Sequence, residues 1–227
     1  MQVNVKLQVG EIIGFFVAFA LALFLPAGTL AWPAGWAFLL LFFSFYLAVT
    51  LWLFRHNPGL MQERLHLGTS DQQNWDKVLC PVMLVIPFAG MVCMSFDAVR
   101  FHWSSMPAWL QGMGAIILLG SFYPLYRTFR ENSYLAAVVR IQEERGQEVV
   151  STGPYQHVRH PMYAGIIIFM AGMCFLLGSW YGLLFGILFT VILAWRAVLE
   201  ERTLQDQLPG YAAYMLQVKY RLIPYVW

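Results

Sequence analysis

The sequence predicts an all-α integral membrane protein of about six transmembrane helices, with a polar insert on the cytosolic side and a C-terminal amphipathic helix. Three observations predict it. Of the 227 residues, 59% are hydrophobic and only 11% are charged, whereas a soluble domain uses about 25% charged residues to cover its surface. The apolar runs are near 20 residues long, which is the length that crosses a bilayer as helix, and they lack the alternating ten-residue pattern of a membrane barrel. Aromatic residues make up 17% of the chain, with nine Trp, a composition that suits interfacial belts.

Residues 1–10 form a short polar start carrying Lys6. The first span covers about residues 12–32; Pro26, Gly28 and Pro33 bend or end it, and Trp32 and Trp36 mark an interface. Glu11 interrupts the start and the first apolar run is long enough to span, so a cleavable signal peptide is not expected. The second span, about 34–54, follows a short uncharged turn, which makes the first two spans a hairpin. Residues 55–77 are a polar connection with a short interfacial helix near 60–67, where Glu63 and Arg64 are weaker site candidates and otherwise cap or orient that helix. The third span runs over about 78–99, with kinks expected at Pro81 and Pro87. Asp97, Arg100 and His102 mark water at its far end. The fourth span, about 108–129, leaves the membrane through Tyr123, Pro124, Tyr126 and Arg127.

Residues 130–160 are a long polar insert holding most of the charge. Two short spans follow, about 162–177 and 181–198, joined by Gly178-Ser179-Trp180, and then the amphipathic helix, about 200–218, interrupted near Pro209-Gly210. The chain thus divides into an N-terminal membrane region with four spans, 1–130, and a second region, 131–227, with the insert, two short spans and the C-terminal helix. With both termini in the cytosol, thirteen of the fourteen Lys and Arg residues lie on the cytosolic side and only Arg100 lies beyond, the bias that positive-inside topology requires. A formal net charge of +2 gives no reason to expect nucleic acid. Cys80, Cys93 and Cys174 sit within apolar runs at no metal-type spacing and read as small buried hydrophobes.

The densest polar stretch is Gly153-Pro154-Tyr155-Gln156-His157-Val158-Arg159-His160-Pro161-Met162-Tyr163-Ala164-Gly165, at the mouth of the fifth span. Polar groups removed from water cost about 2–7 kcal/mol unless paired, so this stretch is expected to floor a polar site. His157 and His160 read otherwise as hydrogen-bonded interfacial residues; no third ligand makes them a metal site. Arg196 and Glu200 are four residues apart on one helix face. Arg196 lies within the apolar part of the last span, where a charge is a functional candidate by default; its plain alternative is to snorkel and pair with Glu200. Glu143, Glu144 and Glu148 read as a solvated face, and Tyr211 and Tyr214 as interfacial anchors. Nucleotide-binding glycine loops and the nucleophile-elbow and zinc-protease motifs are missing.

The combination of Gly153-Pro154-Tyr155, Arg159-His160-Pro161-Met162-Tyr163-Ala164-Gly165, Glu200-Glu201, Leu204, Tyr211, Tyr214 and Arg221-Leu222-Ile223-Pro224 resembles the isoprenylcysteine carboxyl methyltransferase family, relatives of the phospholipid N-methyltransferases. The resemblance covers about residues 139–224 and implies a prokaryotic member in the inner (plasma) membrane with a cytosolic active site. It implies S-adenosyl-L-methionine as methyl donor, bound by Gln142, Gln147, Val149, Val150, Tyr155, His160, Pro161, Met162, Tyr163 and Glu200. It also implies that Arg196 meets the acceptor's carboxylate, and that Arg196 and Glu200 carry the catalysis. The partners implied are a lipophilic, lipid-like acceptor and the membrane lipids. The segment from Leu204 to Tyr211 is one residue shorter than in eukaryotic prenylcysteine enzymes. A carboxylate acceptor is already ionised and needs no base; an amine or hydroxyl acceptor would need one, from His157, His160 or Glu201. The rival enzyme is an NADPH-dependent sterol-type reductase, similar at Arg159-His160-Pro161 and Lys219-Tyr220-Arg221-Leu222-Ile223-Pro224-Tyr225. The rival non-enzyme is a small-molecule transporter, which predicts charges near mid-membrane on several spans.

Overall fold

A computed structural model describes residues 5–65 and 71–227. His66 and Leu67, expected at the end of the interfacial helix, lie outside the described residues, as do residues 1–4 and the side chain of Lys6. The helices are α1 (Val5–Ala27), α2 (Pro33–His56), α3 (Pro58–Leu65), α4 (Asp76–Ser95, continued as a π-turn over Phe96–Phe101), α5 (Ala108–Glu131), α6 (Pro161–Leu176), α7 (Trp180–Gln207) and α8 (Tyr211–Gln217). The fold is all-α. Helices α1, α2, α4 with its π-turn, α5 and α7 are long and apolar enough to cross a membrane, and α6 is a shorter apolar helix.

Proline and short polar side chains set the boundaries. Pro33 and Pro161 open α2 and α6 at the first helical position, where proline's missing N–H would be unpaired anyway. Asn57 ends α2 and its Oδ1 accepts the Leu60 N–H at 3.1 Å, so one residue closes one helix and caps the next. Ser179 caps α7 by accepting the Gly182 N–H at 3.0 Å.

At 16 residues α6 is about 24 Å long, against a hydrocarbon thickness of about 30 Å. It sits packed inside rather than against lipid. Gly114, Gly165 and Gly172 let α5 and α6 approach closely and antiparallel: a methyl on Gly114 would stand 2.3 Å from the Leu176 nitrogen, and one on Gly172 would stand 2.5 Å from the Leu118 nitrogen. On the other side an aromatic seam joins α1, α2, α4 and α6, with Phe19 stacked on Phe42 at 4.9 Å, Phe88 edge-on to Phe19, and Phe169 against Phe42. Leu25, Leu40, Ile116 and Ile187 point outward and are exposed, as suits helices whose surroundings are lipid.

Two sequence expectations change. The sixth span does not stop at residue 198. Helix α7 runs unbroken through Glu200 and Glu201 to Gln207, because neither Pro nor Gly lies between residues 198 and 207 and Arg196, Glu200 and Glu201 turn to partners within the protein. The break falls at Leu208–Gly210, where Gly210 adopts φ +86 before the short α8. Asp97 is not a surface marker. It is fully buried and accepts from the Ser104 N–H and Oγ, each at 2.7 Å, and from Ser179 Oγ at 2.5 Å, tying the π-turn to the α6–α7 turn.

At the other end the α2–α4 connection is bound to the insert. Asn57 donates to Ser133 Oγ, Arg64 donates to the Leu135 carbonyl, and the Gln73 N–H donates to the Val139 carbonyl, each at 3.0 Å. The insert is thereby held across the ends of the helices.

Gly172→Ala should lower the thermal unfolding midpoint in detergent, by about 1–3 kcal/mol of overpacking, because the added methyl meets backbone that cannot step aside. Gly120→Ala on the neighbouring α5, where the methyl meets nothing within 4 Å, should leave the midpoint level or slightly raised. Equal midpoints for the two variants would contradict the close approach of α5 and α6.

Candidate active site

A cavity of about 280 Å³ lies among the insert, the start of α6, the last third of α7 and α8. Its position follows from the sequence. The insert must return to the membrane at Pro161, and α7 carries Arg196 and Glu200 past that point on one face. Tyr163, in the first turn of α6, sits between them. Its hydroxyl accepts from Arg196 Nη1 at 2.7 Å and donates to Glu200 Oε2 at 2.5 Å. His160 lies parallel to the Tyr163 ring, with centroids 5.3 Å apart, and its Nδ1 is 3.8 Å from Glu200.

Arg196 does not snorkel toward Glu200. It is 6% exposed, and Nε donates to Oδ1 of the fully buried Asp76 at 2.9 Å. Nη2 donates to the Ala137 carbonyl at 3.0 Å and lies 3.8 Å from Cys80 Sγ. Of the five guanidinium N–H groups, only one, on Nη1, is left without a partner in this set. The two-point clasp on an acceptor carboxylate expected from the resemblance is therefore not open to Arg196; a single bond is. Asp76, at the start of α4, also accepts from the Val139 N–H at 2.8 Å, Gln72 Nε2 at 3.0 Å and Cys80 Sγ at 3.3 Å. Cys80 is thus part of a polar cluster rather than a plain hydrophobe.

Glu201, expected as a possible base, is instead a tie. Its Oε1 accepts from Arg159 Nε at 2.6 Å and lies 3.2 Å from His160 Nε2, and its Oε2 accepts from Arg221 Nε at 2.8 Å. Arg159 also donates to the carbonyls of Val218 and Lys219. The Arg159 and His160 N–H groups donate to the carbonyls of Tyr220 and Arg221. The C-terminal segment is thus fixed to the opening stretch.

Tyr155, Tyr211 and Tyr214 close the outer wall. Asn132 donates to Tyr155 Oη at 2.8 Å, and Tyr214 Oη donates to the Tyr155 carbonyl at 2.7 Å. Burial pushes all three phenols above their ordinary pKa, so each is a protonated hydroxyl at neutral pH. Tyr211 is 4% exposed, lines the cavity, and its hydroxyl has no hydrogen-bond partner. Such an orphan is expensive and points to a ligand group.

Gln147, Val149, Val150, Tyr155, His160, Pro161, Met162, Tyr163, Arg196 and Glu200 all line this one cavity. Gln142 does not. Its Nε2 donates to the Tyr134 carbonyl at 2.7 Å and its Oε1 accepts from Arg145 at 2.5 Å, so it pins the insert's own turn. His157 is exposed and apart from the cavity. Glu144 is not simply solvated. With Glu63 and Asp71 it surrounds Arg140 at 2.6–2.7 Å, and the guanidinium holds the Glu144 carboxyl below the usual range. The sequence expectations do not include Asp76 or Arg140 as site residues and make Arg64 only a weaker candidate, although it lines the wall. An acidic residue entering an apolar run, as Asp76 does, is the signal that could have been followed.

Asp76→Ala should lower stability by about 3–5 kcal/mol, because it leaves a buried guanidinium without its counter-charge. Asp206→Ala, on the exposed end of the same α7 that carries Arg196, should change stability by less than about 0.5 kcal/mol. Chemical unfolding in mixed micelles separates the two, and similar losses would overturn the pairing.

Residues 109–209, from α5 through the end of α7, match the family model described as phospholipid methyltransferase. No curated protein matches the chain.

Proposed function

We propose, from the membership of residues 109–209 in the phospholipid methyltransferase family, which includes the isoprenylcysteine carboxyl methyltransferases, that this membrane methyltransferase uses S-adenosylmethionine to methylate a lipophilic acceptor. The observation that carries the donor assignment is the buried, unpartnered Tyr211 hydroxyl in a cavity that also presents a carboxylate and apolar walls. S-adenosylmethionine offers an amine, ribose hydroxyls, a flat base and a sulfonium. Tyr211 Oη can pair with a ribose or carboxylate oxygen. Val149, Val150 and Tyr155 form an apolar and aromatic slot for the base. Gln147, Pro161 and Met162 line the same wall, and Glu200 supplies the negative charge that favours the sulfonium and amine.

When bound, that donor supplies a methyl group on a positively charged sulfur. The residues around it place the two reactants. Methyl transfer is an in-line displacement, so holding the acceptor's lone pair opposite the leaving sulfur accounts for much of the rate. Glu200 is aimed by the Tyr163 hydroxyl, which Arg196 orients in turn. The His160 ring stacked on Tyr163 limits how that phenol can swing. Arg196 retains one N–H with which to touch an acceptor oxygen. A carboxylate acceptor becomes an ester with no proton to remove. An amine acceptor would release one, and Glu200 or His160 stands beside the cavity to receive it.

The cavity also reaches inward to Met83 on α4 and Ile166 on α6, so an apolar tail can lie among the helices while the donor sits under the insert. The charge bias supports a cytosolic position for that end and for both termini, in what we read as a prokaryotic inner membrane. The family match favours methyl transfer over the reductase and transporter alternatives.

Calorimetry on the solubilised protein should detect S-adenosylmethionine and S-adenosylhomocysteine but not NADPH; NADPH binding alone would falsify the donor assignment. Tyr211→Phe should weaken donor affinity about 2–10-fold while leaving the unfolding midpoint of the unliganded protein unchanged or raised, since it removes an unpaired buried hydroxyl. Glu200→Gln should weaken donor affinity by at least a similar factor. Unchanged affinity in both variants would remove the pocket assignment.

A further inference from the structure

The arginines around the cavity differ in one respect. Arg140 is surrounded by three carboxylates, Arg159 and Arg221 share Glu201, and Arg196 is paired with Asp76. Arg64 also lines the cavity, yet among the described residues no carboxylate lies within ion-pair distance of it. Its Nη1 donates to the Leu135 carbonyl at 3.0 Å, and its guanidinium lies over the Phe129 ring at 4.8 Å. These two contacts fix its position without cancelling its charge. Burial brings its pKa down to about 10, so it remains a cation at neutral pH. A half-buried cation without a counter-charge is costly and is relieved by a bound anion.

We propose that Arg64, rather than Arg196, binds the negatively charged group of the acceptor, and that the acceptor is an alkyl-chain amphiphile carrying an oxyanion, either a carboxylate or a phosphate ester. The proposal rests on the methyltransferase assignment for the word acceptor, but the anion site stands on geometry alone. Arg196 has one unshared N–H and a neutralising Asp76 at 2.9 Å, so it offers an incoming anion little net charge. Arg64 offers a full one. Met83 and Ile166 on the same cavity wall are apolar, as the chain next to the headgroup requires. Arg64 lies on α3, outside the residues that match the family, so this part of the acceptor site is supplied by the N-terminal region.

The test is binding of dodecyl phosphate, dodecanoate and neutral dodecanol by calorimetry in a non-ionic detergent, with S-adenosylmethionine titrated into the same samples. Wild type should bind one or both anions at least tenfold more tightly than dodecanol, and the tighter of the two identifies the headgroup. Arg64→Gln should abolish that preference with donor affinity unchanged, Arg64→Lys should keep most of it, and Arg196→Gln should keep it. Leu135→Asp, which puts a carboxylate on the cavity-lining residue whose carbonyl Arg64 meets, should abolish it as well, and this variant decides the matter if Arg64→Gln does not fold. A wild type without anion preference, a preference that survives Arg64→Gln and Leu135→Asp, or one lost only in Arg196→Gln would each overturn the proposal. Failure of S-adenosylmethionine to bind wild type would overturn the donor assignment instead, and the anion preference is read independently of it.

Discussion

The site depends on one buried ion pair. Arg196 and Asp76 are 120 positions apart in the chain and 2.9 Å apart in space. Neither charge would be tolerated alone among apolar helices. Together they fix the start of α4 against α7. They also hold the insert, because Asp76 accepts the Val139 N–H and Arg196 donates to the Ala137 carbonyl. The same guanidinium aims the Tyr163 hydroxyl at Glu200. One pair therefore bears on where the insert lies and how the Glu200 carboxylate is presented.

Glu201 repeats that logic one residue further along α7. A helix advances 100° per residue, so Glu200 and Glu201 face different neighbours. Glu200 lines the cavity. Glu201 turns to Arg159, His160 and Arg221 and binds the C-terminal segment to the opening stretch. Adjacent identical residues thus do different work: one is left accessible to a ligand, and the other is satisfied completely by three basic partners. Three partners occupy its two oxygens and it does not line the cavity, which is why the structural role fits Glu201 better than a role as base.

Much of this was legible in the sequence. Composition and run length gave the membrane class, because a chain with 11% charged residues cannot cover a water-facing surface. The proline and glycine positions marked the start of α6, and the density of polar groups from 153 to 165 marked the floor of the cavity. The pairings were not legible. Asp76 looked like the end of a polar connection because its partner lies on a distant helix, and nothing local in the sequence reports that distance. Gln142 matched by alignment yet binds its own turn. The α7 boundary was misplaced because charged residues were taken to end a membrane helix, whereas charges paired inside the protein do not.

The distribution of charge bears on the proposed methyl transfer to a lipophile. At the far end of the bundle the buried Asp97 is satisfied by two serines and a backbone N–H, with no arginine among its partners. At the near end every buried carboxylate has a basic partner, and the cations that remain face the cavity or solvent. A sulfonium donor and an anionic amphiphile have opposite demands: one needs negative charge and a dry aromatic slot, the other needs positive charge and an apolar channel. In the proposed reading Glu200 meets the first demand and Arg64 the second, both at the same cavity. Asp76 offsets the charge of Arg196, which lines that cavity too, and so leaves Arg64 the stronger draw for the acceptor's anion. In that reading the buried pair bears on which arginine takes the anion as well as holding the helices that form the cavity.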